Sequence, residues 1–177
     1  MKIIDYIKTK VRGTINLNQL KKDGLVVGKN FSAMEGVIID PGHCWLIEIG
    51  NNVTLAPRSH ILAHDASMKK HIGYTKIGGV KIGDNVFIGA GSIVLPNVVI
   101  SDNTIIGAGS VISHSLDSGV YAGNPCKKIY EYDEWIEKIK VQMSTKPCYD
   151  ESYKIGNISK AKKDQMKNEI KDYAYII

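Results

Sequence analysis

The chain has 177 residues, of which 44% are hydrophobic and 23% charged, so it is long enough to bury a core of its own. Only 7% of the residues are aromatic, with two Phe against 17 Gly, which disfavours an ordinary helical bundle and favours a core of β-branched aliphatic side chains. The formal net charge is +5, but basic and acidic residues are mixed along the chain. This pattern argues against nucleic acid as the main partner and is compatible with a phosphate-bearing substrate.

Residues 1–25 are predicted to form a short N-terminal segment, in which charged residues interrupt every apolar run. No stretch of the sequence is long and apolar enough to be expected to cross a bilayer. The cysteines Cys44, Cys126 and Cys148 are odd in number and widely spaced, so neither a disulfide framework nor a zinc ribbon is expected. A reducing compartment, the cytoplasm, is the expected location.

A six-residue repeat dominates the middle of the chain. Residues 82–117 divide into six consecutive hexads, each opened by an aliphatic residue, and residues 49–66 show the same pattern. Insertions interrupt the repeat near residues 41–44 and again within residues 64–79. Six residues form one face of a three-sided coil, so residues eighteen apart should stack, as in the pairs Ile82 over Ile100, Ile88 over Ile106 and Val94 over Ile112. The sequence therefore predicts an all-β solenoid of parallel strands over residues 26–129, with an excursion at residues 64–79.

The hexad pattern also predicts the corners and the ends of the coil. Asn85 and Asn103 stack at corners where a left-handed backbone conformation is expected. Residues 130–177 are predicted to form a helical cap and tail. A first helix over residues 131–143 should cover the open end of the coil, and a weaker one should run from Ser159 to Asp172 with Ser159 as its cap.

The hexads, the Ala-His-Asp tripeptide at residues 63–65 and the Ala-Gly-Asn-Pro-Cys-Lys stretch at residues 122–127 together resemble the hexapeptide-repeat acyltransferases. The resemblance covers residues 26–129 and is strongest to the maltose and galactoside O-acetyltransferase branch, which includes polysaccharide O-acetyltransferases. It implies a left-handed parallel β-helix and a homotrimer with its active site between neighbouring subunits. It also implies an O-acetyltransferase that moves an acetyl group from acetyl-CoA to a hydroxyl of a sugar or polysaccharide precursor, without a metal.

Acetyl transfer to a hydroxyl requires a base, because an alcohol is a poor nucleophile at neutral pH. Histidine suits this task, since its unperturbed pKa of about 6.5 lets it take the hydroxyl proton and return it to the leaving thiolate. His64 is the predicted base, because it lies at an outward corner and the resembled family has its catalytic histidine at this place. His60 and His71 are expected in the wall or in solvent, and His114 in the coenzyme groove.

The base needs an acceptor for its second ring nitrogen. Asp40 and Glu48 are both candidates, whereas the adjacent Asp65 is expected to point away. The resemblance favours a different role for Asp40, binding of the acceptor substrate, because the family has an acidic residue near this point. Phe87 is expected beside the acceptor or the pantetheine arm of the coenzyme, so the predicted substrate-binding residues are Asp40, Glu48 and Phe87.

Coenzyme A is predicted to lie along a groove formed by successive coils. A backbone amide near Gly89 and Ala90 is expected to bind the oxyanion, and backbone groups near Ala90 and Ala108 are expected to bind the pantetheine arm. The residues expected to meet the phosphate groups are Ser113, Lys127 and Lys128.

Two other functions are compatible with the repeat. One is a zinc-dependent hydratase like the gamma-type carbonic anhydrases, with His60, His64 and His71 as ligands, although the ligand spacing of that family is absent. The other is a noncatalytic scaffold that uses the stacked faces for assembly. The sequence leaves open the identity of the acceptor, the choice between O- and N-acetylation, the acyl chain of the donor and the group that orients His64.

Overall fold

The computed structural model describes residues 15–177, which fall into two units. The first unit ends at Tyr132, and the second comprises Asp133–Ile177. Within residues 15–177, none of the helices has the length and the hydropathy that crossing a bilayer demands.

The first unit begins with helix α1 (Leu17–Lys22), whose N-terminus is capped by the Asn16 side chain accepting the Gln19 N–H at 3.1 Å. Leu20 of this helix packs into the core. The strands that follow are short, because each occupies one face of the repeat. They are β1 (Val26–Val27), β2 (Ser32–Ala33), β3 (Ile38–Ile39), β4 (Ile47–Ile49), β5 (Thr54–Leu55), β6 (His60–Ile61), β7 (His64–Asp65), β8 (Lys76–Ile77), β9 (Val80–Ile82), β10 (Phe87–Ile88), β11 (Ile93–Val94), β12 (Val98–Ile100), β13 (Thr104–Ile106), β14 (Val111–Ile112), β15 (Gly119–Ala122) and β16 (Lys127–Tyr130).

Most of these strands belong to three parallel sheets that the chain visits in rotation. Sheet A has the order β1-β4-β9-β12, and sheet C has the order β14-β11-β6-β3. Sheet B has the order β16-β15-β13-β10-β5-β2, and its last member β16 runs antiparallel to β15. The chain passes from sheet A to sheet B to sheet C and back to sheet A, as a repeat of six residues per face requires.

The pairing register confirms the stacking predicted from the repeat. Ile82 pairs with Ile100, Ile88 with Ile106 and Val94 with Ile112. The inward side chains of the strands form the core. Those that are at most 3% exposed include Ile49, Leu55, Ile61, Ile82, Ile88, Val94, Ile100, Ile106 and Ile112. Stacked aliphatic side chains therefore supply the hydrophobic core that the composition indicates.

Asparagine side chains form a ladder along one corner of the coil. Asn30 bonds to Asn52 at 3.0 Å, Asn52 to Asn85 at 3.0 Å, and Asn85 to Asn103 at 3.1 Å. All four residues have φ between 54° and 56°, so the left-handed conformation expected at Asn85 and Asn103 is confirmed. The side-chain amides therefore form hydrogen bonds with those of the neighbouring coils, and the left-handed backbone of each Asn forms the corner.

Two interruptions of the repeat lie on the edge between sheets C and A. After β3, residues 41–43 lead into a 3-10 helix, Cys44–Leu46, before β4 begins. After β6, the excursion forms an antiparallel pair in which His64 of β7 lies opposite Ile77 of β8, with the short helix α2 (Lys69–Ile72) between them. Both insertions therefore enter the fold at the same edge, one coil apart.

The second unit contains helix α3 (Tyr132–Met143), strand β17 (Cys148–Tyr149), a 3-10 helix (Glu151–Tyr153), helix α4 (Lys160–Glu169) and strand β18 (Tyr175–Ile176). Strands β17 and β18 are parallel, and the Ser159 hydroxyl accepts the Lys162 N–H at the start of α4. A role of α3 as a cap over the coil stays a prediction.

Candidate active site

His64 and Asp40 form a hydrogen-bonded pair at the edge between sheets C and A. The His64 side chain is 38% exposed, whereas the Asp40 side chain is fully buried at 0%. The Nδ1 atom of His64 bonds to Oδ2 of Asp40. A substrate can therefore reach the imidazole of His64, while the carboxylate behind it is shielded from water.

Three hydrogen bonds hold the Asp40 carboxylate. In addition to His64, Oδ2 accepts the Ala63 N–H at 3.0 Å, and Oδ1 accepts the Gly42 N–H at 3.0 Å. Burial by itself would raise the pKa of Asp40, but these hydrogen bonds outweigh burial and lower the pKa of the carboxyl below its usual value. An ionised Asp40 accepts a hydrogen bond from the Nδ1–H of His64, which keeps the proton on Nδ1 and leaves the lone pair of Nε2 available to a substrate.

His43 is a residue of this site to which the sequence analysis assigned no role. Its ring lies 5.0 Å from the ring of His64, centroid to centroid, and its Nδ1 lies 3.9 Å from Oδ1 of Asp40. This Nδ1 is buried and has no hydrogen-bond partner among residues 15–177. The insertion at residues 41–44, directly after Asp40, is the sequence signal that could have pointed to His43.

A cavity of about 420 Å³ opens beside His64. Its apolar lining includes Leu62, Leu95 and Pro96, and its polar lining includes His64, Asp65, Lys76 and Ser113. Leu62 and Leu95 follow strands β6 and β11, so the cavity runs across successive coils. An elongated ligand with an apolar stretch and a polar end fits such a lining. Lys76 is the second residue here that the sequence analysis did not single out.

The predicted zinc ligands are not brought together. Among the residues that the structure describes, the group with metal-ligand atoms within 4.8 Å of one another is Asp40, His43 and His64. His60 lies in β6 and the exposed His71 lies in α2, and neither belongs to this group. The geometry therefore does not support the zinc-hydratase alternative, which depended on His60, His64 and His71 as joint ligands.

The predicted substrate-binding residues are spread over three places. Asp40 lies behind His64, buried, and is held by backbone N–H groups rather than presented to an acceptor. Glu48 lies on sheet A, where its carboxylate is 3.8 Å from the ammonium group of Lys81. Phe87 lies on sheet B and is 42% exposed. Neither Glu48 nor Phe87 lines the cavity beside His64. Asp65 accepts the N–H of Ser67.

The predicted coenzyme-binding residues fall into two groups. Ser113 lines the same cavity as His64. Gly89, Ala90 and Ala108 follow strands β10 and β13, so they lie at the edge between sheets B and C. The full width of sheet C therefore separates these three residues from His64 within one chain.

At the edge between sheets B and C, the backbones of successive coils stack closely, and the residues on the outer surface are exposed. Gly89 donates its N–H to Ile106 at 2.8 Å, and a Cβ at Gly89 would lie 2.5 Å from the Ala108 nitrogen. Gly89 thus serves coil stacking, and its N–H is not available for an oxyanion. Ala90 and Ala108 are exposed.

Lys127 and Lys128 continue this edge on strand β16. Lys127 pairs with Ala122 across sheet B and is exposed. Lys128 contacts Glu131, with 2.9 Å between the ammonium nitrogen and a carboxylate oxygen. Of the two lysines, Lys127 is therefore the one better placed to meet a phosphate group.

Comparisons with known proteins agree with this fold. Residues 79–114 match the family model of the bacterial transferase hexapeptide, six repeats. Protein CapG of Staphylococcus aureus is 44% identical over 100 residues, which are 54% of this chain and 58% of CapG. A maltose O-acetyltransferase from Clostridium difficile 630 is similar at a TM-score of 0.51 and 38% identity, over 61% of this chain and 59% of that one.

A third similar protein is a galactoside acetyltransferase, solved in complex with coenzyme A. It matches at a TM-score of 0.53 and 27% identity, over 68% of this chain and 72% of that chain. The predicted resemblance to hexapeptide-repeat acyltransferases of the maltose and galactoside O-acetyltransferase branch is thereby confirmed. The chain spans a little under three fifths of the length of CapG and of the maltose O-acetyltransferase.

Proposed function

We propose that this protein is an acetyl-CoA-dependent O-acetyltransferase in which His64 is the general base and Asp40 orients it. The observation that carries the proposal is the His64–Asp40 pair at the mouth of a cavity that crosses successive coils. The solved relatives add support, because one is a maltose O-acetyltransferase and the other a galactoside acetyltransferase in complex with coenzyme A.

In the proposed reaction, Nε2 of His64 takes the proton of the acceptor hydroxyl as its oxygen attacks the thioester carbonyl carbon. The tetrahedral intermediate carries its negative charge on the former carbonyl oxygen. The carbon–sulfur bond then breaks, the imidazolium returns the proton to the departing thiolate, and the products are an acetyl ester and free coenzyme A. The anionic Asp40 holds the ring orientation and stabilises the transient imidazolium through Nδ1.

We propose that the donor lies in the cavity beside His64 and that a second copy of the chain completes its binding site. Ser113 and Lys76 line the cavity on the side of His64. Ala90, Ala108 and Lys127 lie at the other edge of sheet C of the same chain. A neighbouring subunit in a homotrimer would bring its own edge between sheets B and C to this cavity, and three equivalent sites would result.

The proposed acceptor is a hydroxyl of a sugar or of a polysaccharide precursor. The names of the solved relatives support this class, since they are acetyltransferases of maltose and of a galactoside. The same resemblance supports a left-handed β-helix for the coil formed by sheets A, B and C, which would be an exception to the usual right-handed crossover.

The test measures thiol released from acetyl-CoA in the presence of maltose, methyl galactoside and other pyranosides. Wild-type protein is expected to release thiol with at least one of them, and His64→Ala is expected to lose this activity. His71→Ala is the matched control, because His71 is an exposed histidine of the same excursion. Equal activity of His64→Ala and His71→Ala would overturn the proposed base.

A further inference from the structure

We infer that Trp45 and His43 form the binding surface for the acceptor, and that this surface selects acceptors with a ring that has an apolar face. The inference rests on the proposed function, because it assigns the acceptor side of the same site. It concerns the segment at residues 41–46, which follows Asp40 directly and comprises the insertion at residues 41–44 and the rest of the 3-10 helix.

Trp45 is held outward between two anchored neighbours. Cys44 before it is fully buried, and its Sγ contacts the carbonyl oxygens of Leu20 and Asp23, each at 3.6 Å. Leu46 after it packs against the core and donates its N–H to His43 at 3.0 Å. The 3-10 turn that these bonds fix leaves the Trp45 side chain 56% exposed.

The backbone on the other side of Trp45 is also fixed. Gly24 has φ of 106°, and a Cβ at this position would lie 2.7 Å from the Cβ of Trp45. Glycine is therefore required at residue 24 for the chain to pass this close to Trp45. The base of the Trp45 side chain is confined between α1 and β4, and its exposure does not arise from a loose loop.

Trp45, His43 and His64 form two pairs of neighbouring rings that share His43, called the row of rings below, and the last of the three is the proposed base. The Trp45 and His43 centroids are 5.4 Å apart with an interplanar angle of 46°, and the His43 and His64 centroids are 5.0 Å apart with an angle of 40°. A large exposed indole is costly to leave in water and offers a flat apolar face with a negative quadrupole. The C–H groups on one face of a pyranose ring are complementary to such a surface.

The row of rings and the donor cavity use different residues beside His64. Neither His43 nor Trp45 lines the cavity that holds Leu62, Leu95 and Ser113. We therefore place the donor in the cavity and the acceptor on the row of rings.

This arrangement predicts the class of acceptor. A pyranoside presents an apolar ring face to Trp45 and a hydroxyl to His64 at the same time. An open-chain alcohol such as serine or glycerol has a hydroxyl but no ring face. We therefore expect pyranosides to be bound better than open-chain alcohols, and we expect Trp45 to account for the difference.

The first experiment measures binding without turnover. The chain has two Trp, so Trp135→Phe leaves Trp45 as the sole source of indole emission. Titration of this protein with methyl galactoside and maltose, with coenzyme A present, should quench or shift the emission, whereas glycerol and serine should not. An unchanged emission with every pyranoside overturns the inference, whatever the activity of the enzyme.

The second experiment separates this inference from the proposed function. Trp45→Ala should raise the KM for a pyranoside roughly 3- to 10-fold, with kcat and the KM for acetyl-CoA changed less than twofold, and Trp45→Phe should recover most of the loss. An unchanged pyranoside KM in Trp45→Ala would refute the acceptor surface while leaving His64 as the base. Failure of the proposed function would give a different result. Wild-type protein would then release no thiol with any acceptor, although pyranosides would still alter the emission of Trp45.

Discussion

His64 bonds through Nδ1 to the carboxylate of Asp40, a residue that precedes it by 24 positions and lies on the neighbouring coil. The pair arises because Asp40 follows strand β3 and Ala63 follows strand β6, and these two strands are paired in sheet C. The Ala63 N–H that would otherwise continue the ladder donates to Asp40 instead. The orientation of the proposed base is thus a consequence of coil stacking.

Asp40→Asn should lower kcat with little change in the KM for acetyl-CoA. An asparagine side chain fills the same space, but it is neutral and cannot stabilise the imidazolium through Nδ1. We expect a loss of roughly 10- to 10⁴-fold in kcat, by analogy with the third member of serine-protease triads. Steady-state kinetics on purified protein measure this. A kcat within twofold of wild type would contradict the orienting role.

The same residue should make the protein sensitive to acid. The folded state lowers the pKa of Asp40 from its ordinary value of 3.8, so the ionised form is favoured by folding. Its contribution to the free energy of unfolding is therefore complete above about pH 5 and is lost as the pH falls through the lowered pKa. The difference in unfolding free energy between wild type and Asp40→Asn, measured with urea, should shrink below pH 4. A difference that grows on acidification would contradict the direction of the shift.

Gly89→Ala should destabilise the coil, because its Cβ would lie 2.5 Å from the Ala108 nitrogen and 2.6 Å from the Gly107 carbonyl carbon, both backbone atoms. We expect a loss of about 1–3 kcal/mol in the free energy of unfolding, typical of overpacking. Gly79→Ala is the control, since the nearest atom to its Cβ would be the Leu46 oxygen at 3.5 Å, and it should change stability by less than about 1 kcal/mol. Denaturant unfolding compares the two, and equal losses would argue against a requirement of coil stacking at Gly89.

Mixed oligomers should recover activity that neither parent has. His64→Ala removes the base, and Ala90→Trp, at an exposed position, should block the proposed coenzyme edge. If a site takes its base from one chain and this edge from the next, about a quarter of the sites in randomly mixed trimers combine two intact surfaces. Activity should therefore rise on co-refolding of the two inactive variants. If trimers shown to contain both variants recover no activity, the whole site lies within one chain.

The coil could be predicted from the sequence because its repeat is local. The pairs Ile82 with Ile100 and Ile88 with Ile106 follow from counting eighteen residues, and the structure has them. Because burial and corner conformation recur every six residues, the residue spacing in a few hexads is enough to predict the register of many strands. The left-handed φ of Asn85 and Asn103 follows for the same reason.

The surroundings of His64 could be predicted only in part. Asp40 is one of two candidates for the orienting group, because the insertion at residues 41–44 hides the register that places it beside His64. His43 lies in that insertion and Trp45 in the 3-10 helix that continues it, so no repeat position describes them. Gly89 was expected to face a ligand, but its outward space is filled by the backbone of the next coil. These contacts depend on how the segments outside the repeat fold onto the coil. The repeat period contains no information about that folding.

The most direct measurement of the central claim is the comparison of turnover and acetyl-CoA binding in His64→Ala. The variant should bind acetyl-CoA with near-native affinity in calorimetry, because the imidazole acts on the proton of the acceptor and not on the coenzyme. Its kcat with a pyranoside acceptor should fall roughly 10²- to 10⁴-fold, the usual contribution of a general base. A near-native kcat in His64→Ala, with acetyl-CoA binding intact, would contradict the account and require another base.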